Sequence, residues 1–76
     1  MGEEICVGRK EIIDYFKSLK LINPSVSYYR GWLYILRWKK TKNLKVLIYK
    51  MPNNDKPMII KKEIVKWREI YNKRTL

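Results

Sequence analysis

Apolar residues return every three or four positions in two stretches of this 76-residue chain. In the first, Ile12, Phe16 and Leu19 recur at helical spacing with Ile13 beside them. Lys10, Asp14, Lys17 and Ser18 take the other face. The pattern predicts an amphipathic helix from about Arg9 to Lys20. In the second stretch, Ile60, Ile64, Trp67 and then Ile70 or Tyr71 repeat. Lys61, Lys62, Lys66, Arg68 and Glu69 fill the remaining positions, which predicts a helix from about Lys61 to Asn72. Lys73 to Leu76 are expected to fray.

The middle of the chain has no such clear period. Ile5-Cys6-Val7 is a short apolar lead-in to the first helix. Leu21-Ile22-Asn23-Pro24-Ser25 ends that helix, because Pro24 holds Asn23 in extended geometry and Asn-Pro favours a turn. Val26 to Arg30 fits a loop, a short strand or an early helical turn. Trp32 to Leu36 is a continuous apolar run, in which periodicity does not separate a buried strand from a helix. β-propensity tilts it toward a strand, forming a hairpin with Leu44–Tyr49 across Lys39–Asn43. As a helix, it would turn Ile35, Trp38 and Trp32 inward and Tyr34, Arg37 and Thr41 outward, with Leu33 and Leu36 on the flanks. Asn43 would then stand just past its end, where asparagine tolerates left-handed geometry. Leu44 to Tyr49 reads as a strand in both cases. Pro52-Asn53-Asn54-Asp55 has the chemistry of a turn, and the prolines around it suit an edge or wing rather than a central strand.

Charge adds the strongest constraint. Lys plus Arg number 18 against 7 Asp plus Glu, a formal net charge of +11. That excess implies a polyanionic partner, with nucleic acid the first candidate. Three Trp, six Tyr and one Phe among many Ile and Leu argue for a folded domain rather than a basic tail. A single domain of this length buries only about 60% of its unfolded surface, so the large side chains are needed in the core. Trp38 and Trp67 are expected to be buried there, and the three tryptophans read as core before they read as stacking platforms.

Other chemistries lack their residues. One cysteine, Cys6, leaves no internal disulfide, and it reads as a small packed hydrophobe. With no histidine and no metal-ligand set, neither a metal site nor a cofactor is expected. Glu11, Asp14, Glu63 and Glu69 form no acid/base constellation and no glycine-rich phosphate loop is present, so an enzyme is not expected. An acidic N-terminus and the lack of a long apolar run point to a cytoplasmic protein with no membrane partner.

The order of segments resembles a known family. Val7-Gly8-Arg9-Lys10-Glu11-Ile12 resembles the opening of the first helix in small phage and excisionase-type winged helix-turn-helix domains, the group related to MerR-type regulators. Similar domains occur in phage terminase small subunits. Gly31 to Trp38 lies where these domains place a Ser-x-x-Thr-Val-Arg-Arg-Trp recognition helix. Asn43-Leu44-Lys45-Val46 resembles their Gly-Leu-Pro-Val, Met51 to Ile59 their wing, and Lys61 to Trp67 their last helix ending in Trp. The resemblance spans about Val7 to Tyr71. Two features depart from it. Leu21 to Arg30 is longer than the family's tight turn, and Leu33 and Leu36 stand where the family has arginine or polar residues.

The resemblance implies an α+β winged helix-turn-helix with three helices and a hairpin wing. The alternative is an α-β-β-α module with a hairpin at 32–49. The implied function is duplex DNA binding, sequence-specific or architectural, in a phage or mobile element: an excisionase-like factor, a transcription regulator or a packaging-type recognition subunit. A homodimer or cooperative array on the DNA goes with it. Expected DNA contacts are Arg9 and Lys10 at the start of the first helix, and Arg30, Tyr34, Arg37, Lys40 and Lys42 along or beside the recognition helix. Asn53, Asn54 and Lys56 are expected at the wing tip. Arg37 is the base-reading candidate, since a guanidinium meets guanine O6 and N7 with two hydrogen bonds. Glu11 competes for a different role, as the capping carboxylate. Two other functions stay open: a module stacking single-stranded nucleic acid on its hairpin face, and a protein-interaction adaptor docking through Trp32–Leu36.

Overall fold

The computed structural model describes the backbone of residues 4–52 and 55–75 and the side chains of these up to Ile70. It is a small α+β fold of three α-helices and one three-stranded antiparallel sheet. The chain runs β1 (Ile5–Val7), α1 (Arg9–Ser18), α2 (Tyr28–Thr41), a 3₁₀ turn (Leu44–Leu47), β2 (Tyr49–Lys50), β3 (Pro57–Ile60) and α3 (Lys61–Thr75).

The apolar lead-in before the first helix is a strand. Ile5, Cys6 and Val7 pair with Ile60, Ile59 and Met58, which makes β3 the middle of the order β1-β3-β2. The expectation of an edge position for the Pro57 segment is therefore overturned. Pro57 is tolerated because it is the first residue of its strand, where a missing N–H interrupts no ladder. Its carbonyl accepts the Gly8 N–H at 2.7 Å.

Gly8 turns the chain from β1 into α1 at φ +93° and ψ 155°, a region open in practice to glycine alone. Glu11 accepts the Val7 N–H at 3.0 Å, so it is a capping carboxylate reaching back over the first turn. α1 buries Ile12, Ile13 and Phe16 completely. It stops where Lys20 takes φ +63°, with Leu21 N–H donating to Phe16 O and Lys20 N–H to Lys17 O at 3.0 Å each. That is a Schellman ending built without glycine.

The connection from Leu19 to Ser27 is anchored from inside by Ile22, 2% exposed. Asn23 Oδ1 accepts from both the N–H and the hydroxyl of Ser25. Ser27 then caps α2, its hydroxyl accepting the Arg30 N–H at 3.2 Å.

Residues 28–41 are helical, which corrects the tilt toward a strand and removes the alternative hairpin at 32–49. Packing overrides propensity here. The helix sets Gly31 and Ile35 against the core, and a Cβ on Gly31 would lie 3.1 Å from Ile13 Cγ2. α2 thus crosses α1 at close range, with its roll fixed by the absent side chain. Asn43 follows the helix at φ +57°, the left-handed geometry expected of it.

Leu44 to Leu47 is a 3₁₀ turn and only Tyr49–Lys50 extends into a strand, which corrects the reading of Leu44–Tyr49 as one strand. In a 3₁₀ turn residues three apart share a face. Leu44 and Leu47 both pack inward, while Val46 is left 54% exposed. A strand would have placed Leu44 and Val46 on one face.

α3 runs to Thr75, past the expected end near Asn72. Its Ile64 and Trp67 complete the core with Ile59, Leu44, Ile35, Ile22 and Cys6. Each helix gives one aromatic ring to its centre. Phe16 and Trp38 stack at 6.0 Å, and Trp67 is tilted against them at 6.1 and 5.8 Å. Trp67 is buried as expected, whereas Trp38 is half-buried and its other face meets Tyr34.

Candidate nucleic-acid interface

The roll of α2 decides which side chains it offers to solvent. With Gly31 and Ile35 inward, the opposite face carries Tyr29, Leu33 and Leu36 at i, i+4 and i+7, ending in Lys40. Tyr29 is 77% exposed, Leu33 46% and Leu36 39%. Leu33 and Leu36 are therefore central to the outer face, not on its flanks as expected. Arg30 and Arg37, seven residues apart, form its exposed basic edge.

The start of α1 borders this face. The Arg9 guanidinium lies 5.5 Å from the centre of the Trp32 ring, a cation–π contact between the two helices. Next to it, Lys17 and Lys10 lie 4.7 and 5.7 Å from the Tyr28 ring. The Tyr28 hydroxyl donates to Asp14 Oδ1 at 2.7 Å, and this bond to a carboxylate raises the phenol above its ordinary pKa. The two carboxylates of α1 are thus both engaged: Asp14 by Tyr28, Glu11 by the backbone of Val7.

Two concavities lie along this side. One, of about 480 Å³, is lined by Arg9, Tyr28, Tyr29, Trp32, Leu33 and Leu36. The other, about 520 Å³, runs from Val7–Glu11 to Asp55, Lys56 and Pro57 at the base of the β2–β3 hairpin. Arg9 lines both, so the outer face of α2, the first turn of α1 and the hairpin base form one continuous surface.

Arg9, Lys10 and Lys56 meet on this surface, and Arg30, Arg37 and Lys40 are exposed on the helix that borders it. Two expected contacts stand apart. Tyr34 is half-buried with its ring 6.2 Å from Trp38, so it belongs to the aromatic cluster. Lys42 follows the last turn of α2 and is half-buried, and its carbonyl accepts the Trp67 indole N–H at 2.9 Å. It lines a different groove, of about 280 Å³, with Asn43, Val46, Leu47, Lys66 and Ile70 among its neighbours. Asn53 and Asn54 lie outside the described residues.

Sequence reasoning missed Tyr28 and Tyr29 as surface groups. The signal was present in the spacing of Tyr29, Leu33 and Leu36, but it is visible only if the helix begins at Tyr28. No helix among the described residues is long and apolar enough to cross a membrane. No protein-family model, no curated protein and no solved structure matches this chain.

Proposed function

We propose that this chain binds duplex DNA as a winged helix-turn-helix, with α2 in the major groove and the first turn of α1 and the β2–β3 hairpin on flanking phosphates. The observation that carries the reading is the continuity through Arg9 of the outer face of α2 with the hairpin base. Three separate elements thereby offer cations to one ligand. The net charge of +11 gives that ligand a sign. The element order, two packed helices followed by a hairpin and a closing helix, fits the same arrangement. An excisionase-like, regulatory or packaging role in a phage or mobile element follows from the resemblance in residue order, and a dimer or array on DNA goes with it.

The test is titration of a labelled duplex at several salt concentrations. Neutralising roughly four to six phosphates gives a slope of log K against log salt of about −4 to −5. No binding at low salt, or affinity independent of salt, sinks the proposal.

A protein-docking reading draws on one observation, the exposure of Leu33 and Leu36. Its patch is not the run Trp32–Leu36, because Ile35 is fully buried. It is the stripe that begins at Tyr29.

A further inference from the structure

The outer face of α2 has an unusual inventory for a helix that reads bases. The fourteen residues Tyr28–Thr41 include no Asn, Gln, Asp or Glu. Adenine is read in the major groove chiefly by Asn or Gln, and cytosine by Asp or Glu. Neither chemistry is available here. What the exposed face offers is an apolar stripe, Tyr29–Leu33–Leu36, with Arg30 and Arg37 along one edge and Lys40 at its end. Two base-edge chemistries fit that set: contact with the C5-methyl of thymine, and Arg or Lys with guanine.

We infer that Tyr29, Leu33 and Leu36 select DNA by its thymine methyl groups, so that the preferred site has a thymine-rich centre with guanine admitted beside Arg30, Arg37 or Lys40. This inference rests on the DNA-binding reading above and names the part of the ligand that the site recognises. The length of the stripe supports it. From Tyr29 to Leu36 the helix rises about 10 Å, at about 1.5 Å per residue. Base pairs stack about 3.4 Å apart, so the stripe spans about three steps. The roll that presents it is set by the close approach of Gly31 to Ile13, so the helix turns this face outward before any ligand arrives. Charge complementarity also selects the occupant. The stripe is edged by Arg30, Arg37, Lys40 and Arg9, so a second copy of a chain carrying +11 would bring like charge against like, whereas a polyanion would not.

The experiment crosses two DNA ligands with two proteins. A duplex enriched from a random pool is compared with the same duplex carrying uracil for thymine, which removes only the methyl groups. The wild-type protein is compared with Leu33→Ala, an exposed position where truncation leaves the core intact; circular dichroism checks its fold. Each buried methyl is worth about fourfold in affinity. Wild type should therefore lose about four- to sixteenfold on the uracil duplex, for one or two methyls, and Leu33→Ala clearly less. In a second arm a contacted T·A step is replaced by C·G with and without a 5-methyl on the cytosine, and the methyl should raise wild-type affinity; no gain from it overturns the inference. Equal wild-type affinity for the thymine and uracil duplexes overturns the inference and leaves the DNA-binding reading standing. Full thymine preference retained by both Leu33→Ala and Tyr29→Ala also overturns it. Failure of the wild type to bind any duplex at low salt removes the underlying reading, and this inference with it; stoichiometric capture of an acidic peptide instead would assign the stripe to a protein.

Discussion

Trp67 donates its indole N–H to the carbonyl oxygen of Lys42 at 2.9 Å, which pins the middle of α3 to the residue that ends α2. The same ring packs on Phe16 and Trp38, so one side chain joins all three helices. Trp67→Ala is expected to cost about 3–5 kcal/mol, a large share of the stability of so small a domain. Trp67→Phe keeps much of the packing but removes the donor, and should cost less, about 1–3 kcal/mol. Chemical denaturation of the three proteins checks the ranking. A Trp67→Ala variant that melts near the wild-type temperature would contradict the packing described.

Gly31 and Ile13 make a second, separable test. Alanine favours a helix over glycine by about 1 kcal/mol, yet its Cβ would stand 3.1 Å from Ile13 Cγ2. Ile13 is fully buried and has little room to retreat. Overpacking of this kind costs about 1–3 kcal/mol, so Gly31→Ala should be neutral to destabilising by up to about 2 kcal/mol. Combining it with Ile13→Ala, which removes the crowded Cγ2 methyl, should cost clearly less than the sum of the two single substitutions, a coupling readable in a double-mutant cycle. Additive effects would mean that the helices do not touch there.

The phenols of Tyr28 and Tyr49 titrate above their ordinary value, each because it donates to a carboxylate, Asp14 and Glu63 respectively. Cys6 is also raised, first by burial of its thiol. In each case the folded chain holds the proton more tightly than the unfolded one. The associated stability is complete below the unfolded pKa and is lost as pH rises through the folded one. Stability should therefore decline in alkali, beginning above the ordinary thiol range near about pH 8.5 and continuing past about pH 10 for the phenols. Asp14→Asn should bring one tyrosine back to ordinary titration, seen in the ultraviolet absorbance of tyrosinate. An unchanged titration curve would remove the Tyr28–Asp14 bond.

Arg37 and Lys56 should differ in kind on DNA. Arg37→Ala is expected to cost about 1–3 kcal/mol on an enriched site and much less on random duplex. Lys56→Ala, at the hairpin base, should weaken both alike and make the salt slope shallower by about one unit. If both substitutions weaken every sequence equally, Arg37 is a phosphate clamp.

The two amphipathic helices were legible because Ile12, Phe16, Ile64 and Trp67 carry a helical period that nothing else in the sequence contradicts. The helix of residues 28–41 was not. Its outer face is nearly as apolar as its inner one, so Leu33 and Leu36 blur the period that Gly31 and Ile35 set. Glycine at the closest contact also gives no hydrophobic signal at the position that matters most. β1 has only three residues, too few for alternation to show, and Leu44–Leu47 has the composition of a strand with the spacing of a 3₁₀ turn. At the candidate site, charge singled out Arg9, Lys10 and Lys56 separately, at the first helix and the wing, and the fold brings them to one surface. Charge said nothing of Trp32 and Tyr28, whose rings lie against Arg9 and Lys10. Lys42 misled because its backbone, buried under Trp67, has a structural partner that no side-chain pattern reveals.

The pairing of Cys6 with Ile59 has a consequence for how the protein reaches its fold. The strand at the centre of the sheet is synthesised long after the strand it must receive. Until residues 57–60 emerge, Ile5, Cys6 and Val7 have no ladder to join, and the Gly8 N–H has no Pro57 carbonyl to meet. α1 and α2 are local and form early, whereas the sheet closes a loop that contains both of them, a step that slows with sequence separation. A nascent chain halted before residue 57 should therefore hold two helices and no sheet, and the surface that links α1 to the hairpin would be assembled last.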